Sequence, residues 1–394
     1  MGEQVRYEAA RIEVIEGLGA VRRRPGLYVG STGPRGLHHM VLGVFEHAVN
    51  ETAAGDRRVV EVTLTADGGV RIADDGPGVP FGAPADDGGP GLEERLCHFH
   101  AGRSAVGRDR IDLGSGGIRL TAANALSTRM TAESHRGGGR RVQEFARGTA
   151  LAPPAVAGPT DRTGTTLTFH PDPGIFETVD CSFGFLGERF RELAYLCPGL
   201  DVTLTDERPA GGPAVQRYRF PDGVRDFVVS LASAHHPAPP TDVLAFGAED
   251  PRMAGVLDVA LVWGAEGRGQ VLGYANGRAT PHGGTHLEGF RRGLANALAS
   301  YTRACGPDSG ADEAAGAGVT AVVSVRLDEP EFVGCALTEL GGDAVRPWVE
   351  EAVRERVLGW LEEDAERAAR VVGAALNDAG PDGAEPDDAG PDGA

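Results

Sequence analysis

From His38 to Gly55 the chain reads HHMVLGVFEHAVNETAAG, and Met40, Val41, Val44, Phe45, Ala48 and Val49 recur at the period of a helix with one buried stripe. Gly43, Glu46, His47 and Asn50 follow the same period on a neighbouring face. On spacing alone this is an amphipathic helix with a solvated face, and a ligand contact is the alternative. Two-residue alternation takes over in VVEVTLTA and GVRIADD, which predicts strands. A break in DERPAGGPAV, Asp206 to Val215, is followed by the strand-like DVALVWG and QVLGYANG. Then come a helical run from Leu287 to Tyr301, a strand at 319–327 and one long helix from 345 to about 376. The segment from Thr302 to Gly318 reads as an exposed loop within that second region. The pattern predicts an α/β (α+β) protein with domains at 1–214 and 215–376. The remaining 377–394 predicts a disordered acidic tail, because its repeat DAGPDGA, at 378–384 and 388–394, has nothing to bury.

Charge narrows the function classes. The 394 residues hold 38 Lys+Arg against 57 Asp+Glu, a net charge of -19, which excludes a free-standing polybasic nucleic-acid binder. The short clusters Arg22 to Arg24, Arg136 with Arg140-Arg141, and Arg291-Arg292 read as solvated arginine, so no strong nucleic-acid binding is expected of this chain alone. Cys97, Cys181, Cys197, Cys305 and Cys335 are odd in number and widely separated, which fits a reduced compartment and no structural zinc. The start lacks a cationic and apolar leader, and no apolar run reaches about 18 residues. A soluble, cytoplasmic protein without membrane contact is expected.

Three segments carry candidate chemistry. Strand GVRIA runs into Asp74-Asp75-Gly76-Pro77-Gly78-Val79-Pro80, where an aspartate at a strand end beside glycines suits recognition of a ligand edge or forms an ordinary turn. Leu113 to Leu120 leads a glycine-bearing loop, with Gly114 and Gly117, into the helix TAANALS; amides at such a junction can cradle phosphate. No Lys-Ser/Thr follows, so it is not a P-loop. Arg162 to Thr166 precedes the strand LTFHP and offers hydroxyls to a heterocycle or caps a turn.

Taken together, these blocks resemble the N-terminal ATPase region of bacterial DNA gyrase B and topoisomerase IV subunits, in the GHKL group. The resemblance runs through Tyr7, Ile12, Glu16 to Gly30, Gly36-Leu37-His38-His39, Asp74 to Pro80, Asn124-Ala125-Leu126-Ser127 and Thr163-Gly164-Thr165. It continues in Gly283 to Phe290 and Phe332-Val333-Gly334. It implies a Bergerat-type α/β sandwich followed by a ribosomal S5 domain 2-like transducer domain. ATP or ADP is the implied cofactor. The family's metal-binding cleavage domain is not recognised in the sequence, so a truncated relative is expected. Tyr7 and Ile12 resemble the family's N-terminal arm, which implies a homodimer or a heterodimer with a gyrase-type subunit.

Against the family pattern, Gly43 stands at the position of the general base and His47 at that of the magnesium-holding asparagine. Glu46 occupies the neighbouring aspartate position. The lid Gly-Leu-His-Gly-Val-Gly becomes Gly-Ser-Gly-Gly-Ile-Arg at 114–119, so Arg119 replaces its last glycine. Pro77 replaces an arginine, and Cys335-Ala336-Leu337 replaces Gln-Thr-Lys, the loop whose lysine reaches the terminal phosphate. Asp74, Gly78 and Thr165 keep the purine end.

Glu46 and His47 are therefore the catalytic candidates. Asp74, Gly76, Gly78, Gly114, Gly117, Arg119 and Thr165 are the nucleotide- or ligand-binding candidates, and Asn50, Asp75, His98 and His100 line the expected pocket. No metal site is assigned, and imidazole at position 47 argues against magnesium. Three functions fit. One is a nucleotide-binding module without efficient hydrolysis that regulates, decoys or protects a topoisomerase. A second is a repurposed enzyme that cyclises or isomerises a small secondary metabolite. The third is a weak ATPase.

Overall fold

The computed structural model describes residues 17–54, 58–82, 90–99, 107–113, 119–234, 242–251, 254–264, 269–305, 318–334 and 336–377. Tyr7, Ile12, His100, Gly114, Gly117, Cys335, most of the 302–318 segment and the acidic repeat lie outside these residues. The chain divides into two compact units, Met1–Phe220 and Pro221–Ala394. The division falls beyond the expected residue 214, because Ala214–Tyr218 forms a strand that pairs with its predecessor Leu200–Asp206.

In the first unit the described strands are β1 Arg58–Leu64, β2 Val70–Asp74, β3 Ser127–Arg136, β4 Gly139–Ala146, β5 Thr149–Ala150, β6 Ala155–Pro159, β7 Gly164–Pro171, β8 Leu200–Asp206 and β9 Ala214–Tyr218. They form one sheet in the order β5-β4-β3-β7-β2-β1-β8-β9, with β6 beside β4. Only β1 and β8 pair in parallel among these strands. The helices are α1 Gly19–Arg23, α2 Gly26–Val29, α3 Pro34–Glu51, α4 Leu92–Cys97, α5 Arg119–Ala125 and α6 Phe183–Leu196.

The stripe read from the sequence is the buried one: Met40, Val41, Val44, Phe45, Ala48 and Val49 are all buried, and α3 packs on β1, β2 and β7. β1 answers with Val60, Val62 and Leu64, which alternate inward as period two requires. Phe45 stacks on Phe190 of α6 at 4.2 Å, and each ring, fully buried, contributes roughly 2–3 kcal/mol. Proline at the first turn starts α3, where its missing N–H costs nothing. The turn after β2 is tied back to β1 by Asp75, whose Oδ1 accepts the N–H of Val59 at 2.8 Å.

The second unit has α7 Val224–Ser233, β10 Leu244–Asp250, β11 Gly255–Trp263, β12 Val271–Ala275, β13 Arg278–Ala279, α8 Thr285–Cys305, β14 Val319–Leu327, α9 Val345–Glu362 and α10 Ala365–Asn377. Its sheet runs β10-β11-β14-β12-β13. β14, the run VTAVVSVRL, is buried along nearly its whole length, which explains why it reads as continuous rather than alternating. Helix α8 lies against α9 with Gly289 and Gly293 at the contact. A Cβ at Gly289 would meet the Arg346 carbonyl at 2.5 Å, and one at Gly293 the Glu350 carbonyl at 2.5 Å.

The single helix expected at 345–376 is two. Asp364 Oδ1 accepts the N–H groups of Glu366 and Arg367 at 3.0 Å each, capping α10 and ending the run of α9. Trp360 of α9 stacks on Trp263, 5.7 Å away, and has the Arg367 guanidinium 4.3 Å from its ring. Among the described residues no helix is long and apolar enough to cross a membrane.

Candidate functional site

Strand β2 delivers Asp74 to the floor of the first unit, where only 6% of it is exposed. Its Oδ1 accepts the N–H of Gly76 at 3.0 Å and of Thr165 at 3.2 Å. Thr165 Oγ1 in turn accepts the N–H of Val79 at 3.1 Å, which sews the turn after β2 to the start of β7. Burial pushes the Asp74 carboxyl up to about 8, against the pull of the two N–H donors and reinforced by the nearby Glu51 and Asp75 charges. Two glycines make this geometry possible. Gly78, at φ +79°, would place a Cβ 2.5 Å from the His135 carbonyl, and Gly164, at φ +122°, would drive one into the Asp74 carbonyl at 1.9 Å.

Helix α3 supplies the adjoining wall. Gly43 is buried in mid-helix and presents no functional group. Glu46 Oε2 accepts the N–H of Leu113 at 3.0 Å. Asn50 makes a backbone-like pair with Ile111, accepting its N–H at 2.9 Å and donating to its carbonyl at 3.0 Å. Glu46 and Asn50 therefore hold the residues just before the expected phosphate loop along the helix. Glu51 Oε1, buried, accepts from Arg95 Nη1 at 3.0 Å, and His47 Nδ1 stands 3.8 Å from the same oxygen. Gly76 seats this row beside Asp74: a Cβ there would meet the Glu51 carbonyl at 2.8 Å and Asp74 Oδ1 at 3.0 Å.

The sequence candidates thus separate. Asp74, Gly76, Gly78 and Thr165 come together beside Glu51 of α3, and His47 Nδ1 stands 3.8 Å from the Glu51 carboxylate. Asp75 and Asn50 spend their side chains on backbone groups of Val59 and Ile111. His98 is exposed at the end of α4 and lines a separate cleft of about 490 Å³ with Phe81, Pro90, Glu94 and Cys97, the last a thiol that burial pushes up to about 11. Arg119 opens α5, and its side chain, like Gly114, Gly117 and His100, lies outside the described residues. In the second unit Leu337 takes φ +54°, a left-handed conformation unusual for a branched side chain.

Two residues escaped the sequence reading. Arg95 sits with Leu92 and Leu96 on the buried side of α4, and a lone arginine on an apolar stripe is the signal that marks a buried ion pair. Arg136, read as a solvated arginine, donates Nη1 to the Gly78 carbonyl at 3.2 Å and pins the glycine turn from the end of β3.

The donor set does not suit magnesium, the ion the resemblance implies. That ion asks for oxygen ligands in near-octahedral array. Here the nearest carboxylate oxygens answer Arg95 and Leu113, the Asn50 amide answers Ile111, and position 47 offers nitrogen. Among the described residues no group of three or more His, Cys, Asp or Glu is placed to hold a metal ion.

Comparison with known proteins places this arrangement. A family profile described as DNA gyrase B matches residues 223–385. The chain is 39% identical over 393 residues to the novobiocin-resistant DNA gyrase B of Streptomyces niveus, covering 95% of this chain and 58% of that one. It is 38% identical to the DNA gyrase B of Streptomyces coelicolor, covering 93% and 56%. The chain thus spans little more than half the length of these curated relatives. Among solved structures, the 43K ATPase domain of Thermus thermophilus gyrase B, in complex with an aminocoumarin, aligns with TM-score 0.77 and 30% identity over 91% of this chain and 94% of that one. The topoisomerase IV ATP-binding domain of Francisella tularensis, at TM-score 0.73 and 24% identity over 93% of this chain and 98% of that one, shares the fold.

Proposed function

The chain belongs to the DNA gyrase B family, in the span of its ATPase domain, and from that premise we propose that it is a nucleotide-binding module without efficient ATP hydrolysis. In this reading it acts as a regulator, decoy or protection partner of a topoisomerase, as a homodimer or with a gyrase-type subunit. The observation that carries the reading is Gly43: the position matched to the family's general base has no side chain to take a proton from water. The nearest substitute, Glu46, has a carboxylate oxygen occupied by the Leu113 amide. Leu337, where the family pattern has a lysine, brings no charge to a terminal phosphate. The purine end supports binding, because Asp74 Oδ1 takes both backbone donors and leaves Oδ2 for a ligand amine.

The test is phosphate release by the purified chain beside calorimetric binding of ADP. ADP heat with background phosphate release, unchanged in Glu46→Ala, is the expected outcome. Magnesium-dependent turnover well above background that survives Glu46→Ala would sink the reading.

A further inference from the structure

Side chains alternate along β2 and β7, so the strands that turn Asp74 and Thr165 toward one face of the sheet turn Ala73 and Thr166 toward the other. That other face holds a groove of about 680 Å³, independent of the candidate nucleotide pocket. The pairing register builds its floor. Thr166, Ala73, Glu61 and Thr203 stand abreast on β7, β2, β1 and β8, and the lone methyl of Ala73 makes the low point between longer neighbours. Ion pairs form the rims: Arg140 reaches Glu133 at 2.7 Å, and Arg71 stands 3.5 Å from Glu207. His135 brings no charge of its own. Burial holds its imidazole below the ordinary value against the pull of Glu133, the Arg162 and Arg140 charges add to the effect, and its Nδ1 lies 3.0 Å from Thr160 Oγ1.

Once those pairs are made, two charges are left over. Among the described residues, no hydrogen bond or ion pair engages the carboxylate of Glu61 or the guanidinium of Arg162, although both line the groove. Glu61 is level with Thr166 across two strand spacings, about 10 Å, and Arg162 lies four residues before Thr166. The leftover anion and cation are therefore well separated, with free threonine hydroxyls on the floor. A purely anionic guest would meet three glutamates here, and a purely cationic one three arginines. No Phe, Tyr or Trp lines the groove, so a heterocycle would find no ring to stack on. What complements the surface is a polar molecule with one charge of each sign, held apart.

We infer that this groove is a binding site for a small zwitterion of about dipeptide length, with its ammonium at Glu61, its carboxylate at Arg162 and its amide over Ala73 and Thr166.

NMR on the full chain with labelled threonine methyls reads the floor through Thr166 and Thr203. Diglycine is the probe, beside N-acetyl-diglycine, which lacks the ammonium, and diglycinamide, which lacks the carboxylate. Diglycine should shift both methyls saturably at millimolar concentration, since each contact is partly exposed, and each blocked probe should bind about threefold or more weaker. Glu61→Gln should weaken diglycine and diglycinamide by about threefold and leave N-acetyl-diglycine unchanged. Arg162→Gln should weaken diglycine and N-acetyl-diglycine and leave diglycinamide unchanged. Melting temperatures equal to the parent's serve as the folding control. Absence of a saturable shift with diglycine up to about 20 mM overturns the inference. A blocked probe that binds like diglycine overturns it too, as do variants whose losses fail to follow the missing charge.

Discussion

Asp74 is where residue chemistry and the proposed function meet most closely. The unfolded chain releases this proton near 3.8, whereas the fold keeps it to about 8. Between those values the unfolded state is the more ionised, so Asp74 makes the fold less stable as pH rises across the window and holds it at that lower level above it. Asp74→Asn, whose amide oxygen can still accept from Gly76 and Thr165, is therefore expected to raise stability at pH 8 by on the order of 1–3 kcal/mol and to change little at pH 4. Thermal melts at the two pH values check this. A ligand that donates an N–H to Asp74 needs the carboxylate, so binding at pH 7 should release about one proton, visible as a dependence of calorimetric heat on buffer ionisation enthalpy. Equal heats in phosphate and Tris would exclude that mode. Asp74, Gly78 and Thr165 were legible in the sequence because strand, turn and hydroxyl lie in short contiguous motifs. Arg95 was not, because its partner Glu51 is 44 positions away and only the fold, in which α4 and α3 both pack on α5, brings them together.

At the scale of elements, α3 is both core and clamp. Its apolar stripe was plain from periodicity, and so was its polar face, but the sequence could not say that this face grips another stretch of chain. Glu46 and Asn50 hold 111–113 by three hydrogen bonds, and those bonds are long-range. Asn50→Ala is expected to cost about 1–3 kcal/mol through the unpaired Ile111 groups, and to speed amide exchange at Ile111 while sparing β1. Hydrogen exchange by mass spectrometry reads this directly. Arg95→Met should cost more, about 3–5 kcal/mol, since it leaves Glu51 buried without its counter-charge. Adding Glu51→Leu to it should recover much of the loss, as urea melts would show. The helix at 345–376 marks where periodicity misleads: α9 and α10 read as one continuous helical run in the sequence, yet a single capping aspartate divides them.

For the whole molecule, the two units carry separate cores and report separately. The three tryptophans, Trp263, Trp348 and Trp360, all lie in the second unit, so their emission follows that unit's unfolding. Its acid response should be set in part by His286, fully buried beside Thr280 and held down to about 3 by burial, with the Arg291 charge adding to the effect. From 6.5 downward the unfolded chain binds a proton there that the fold refuses until about 3, so stability falls with pH across that range. The midpoint seen by tryptophan emission should drop between pH 7 and 4, and His286→Gln should flatten the slope. An unchanged slope would assign the acid sensitivity elsewhere. The α/β class and the order of elements were readable from pattern; the exact seam between the units was not, because β9 looks like linker until β8 lends it a neighbour.

Gly289 and Gly293 bring the backbones of α8 and α9 close enough that a single added carbon has nowhere to go. A random substitution survey should find these two sites intolerant while Arg291 and Arg292 between them accept almost anything. One methyl group is thus the smallest wedge that could pry the unit apart, and a designer wanting a temperature-sensitive form of this protein would insert it there.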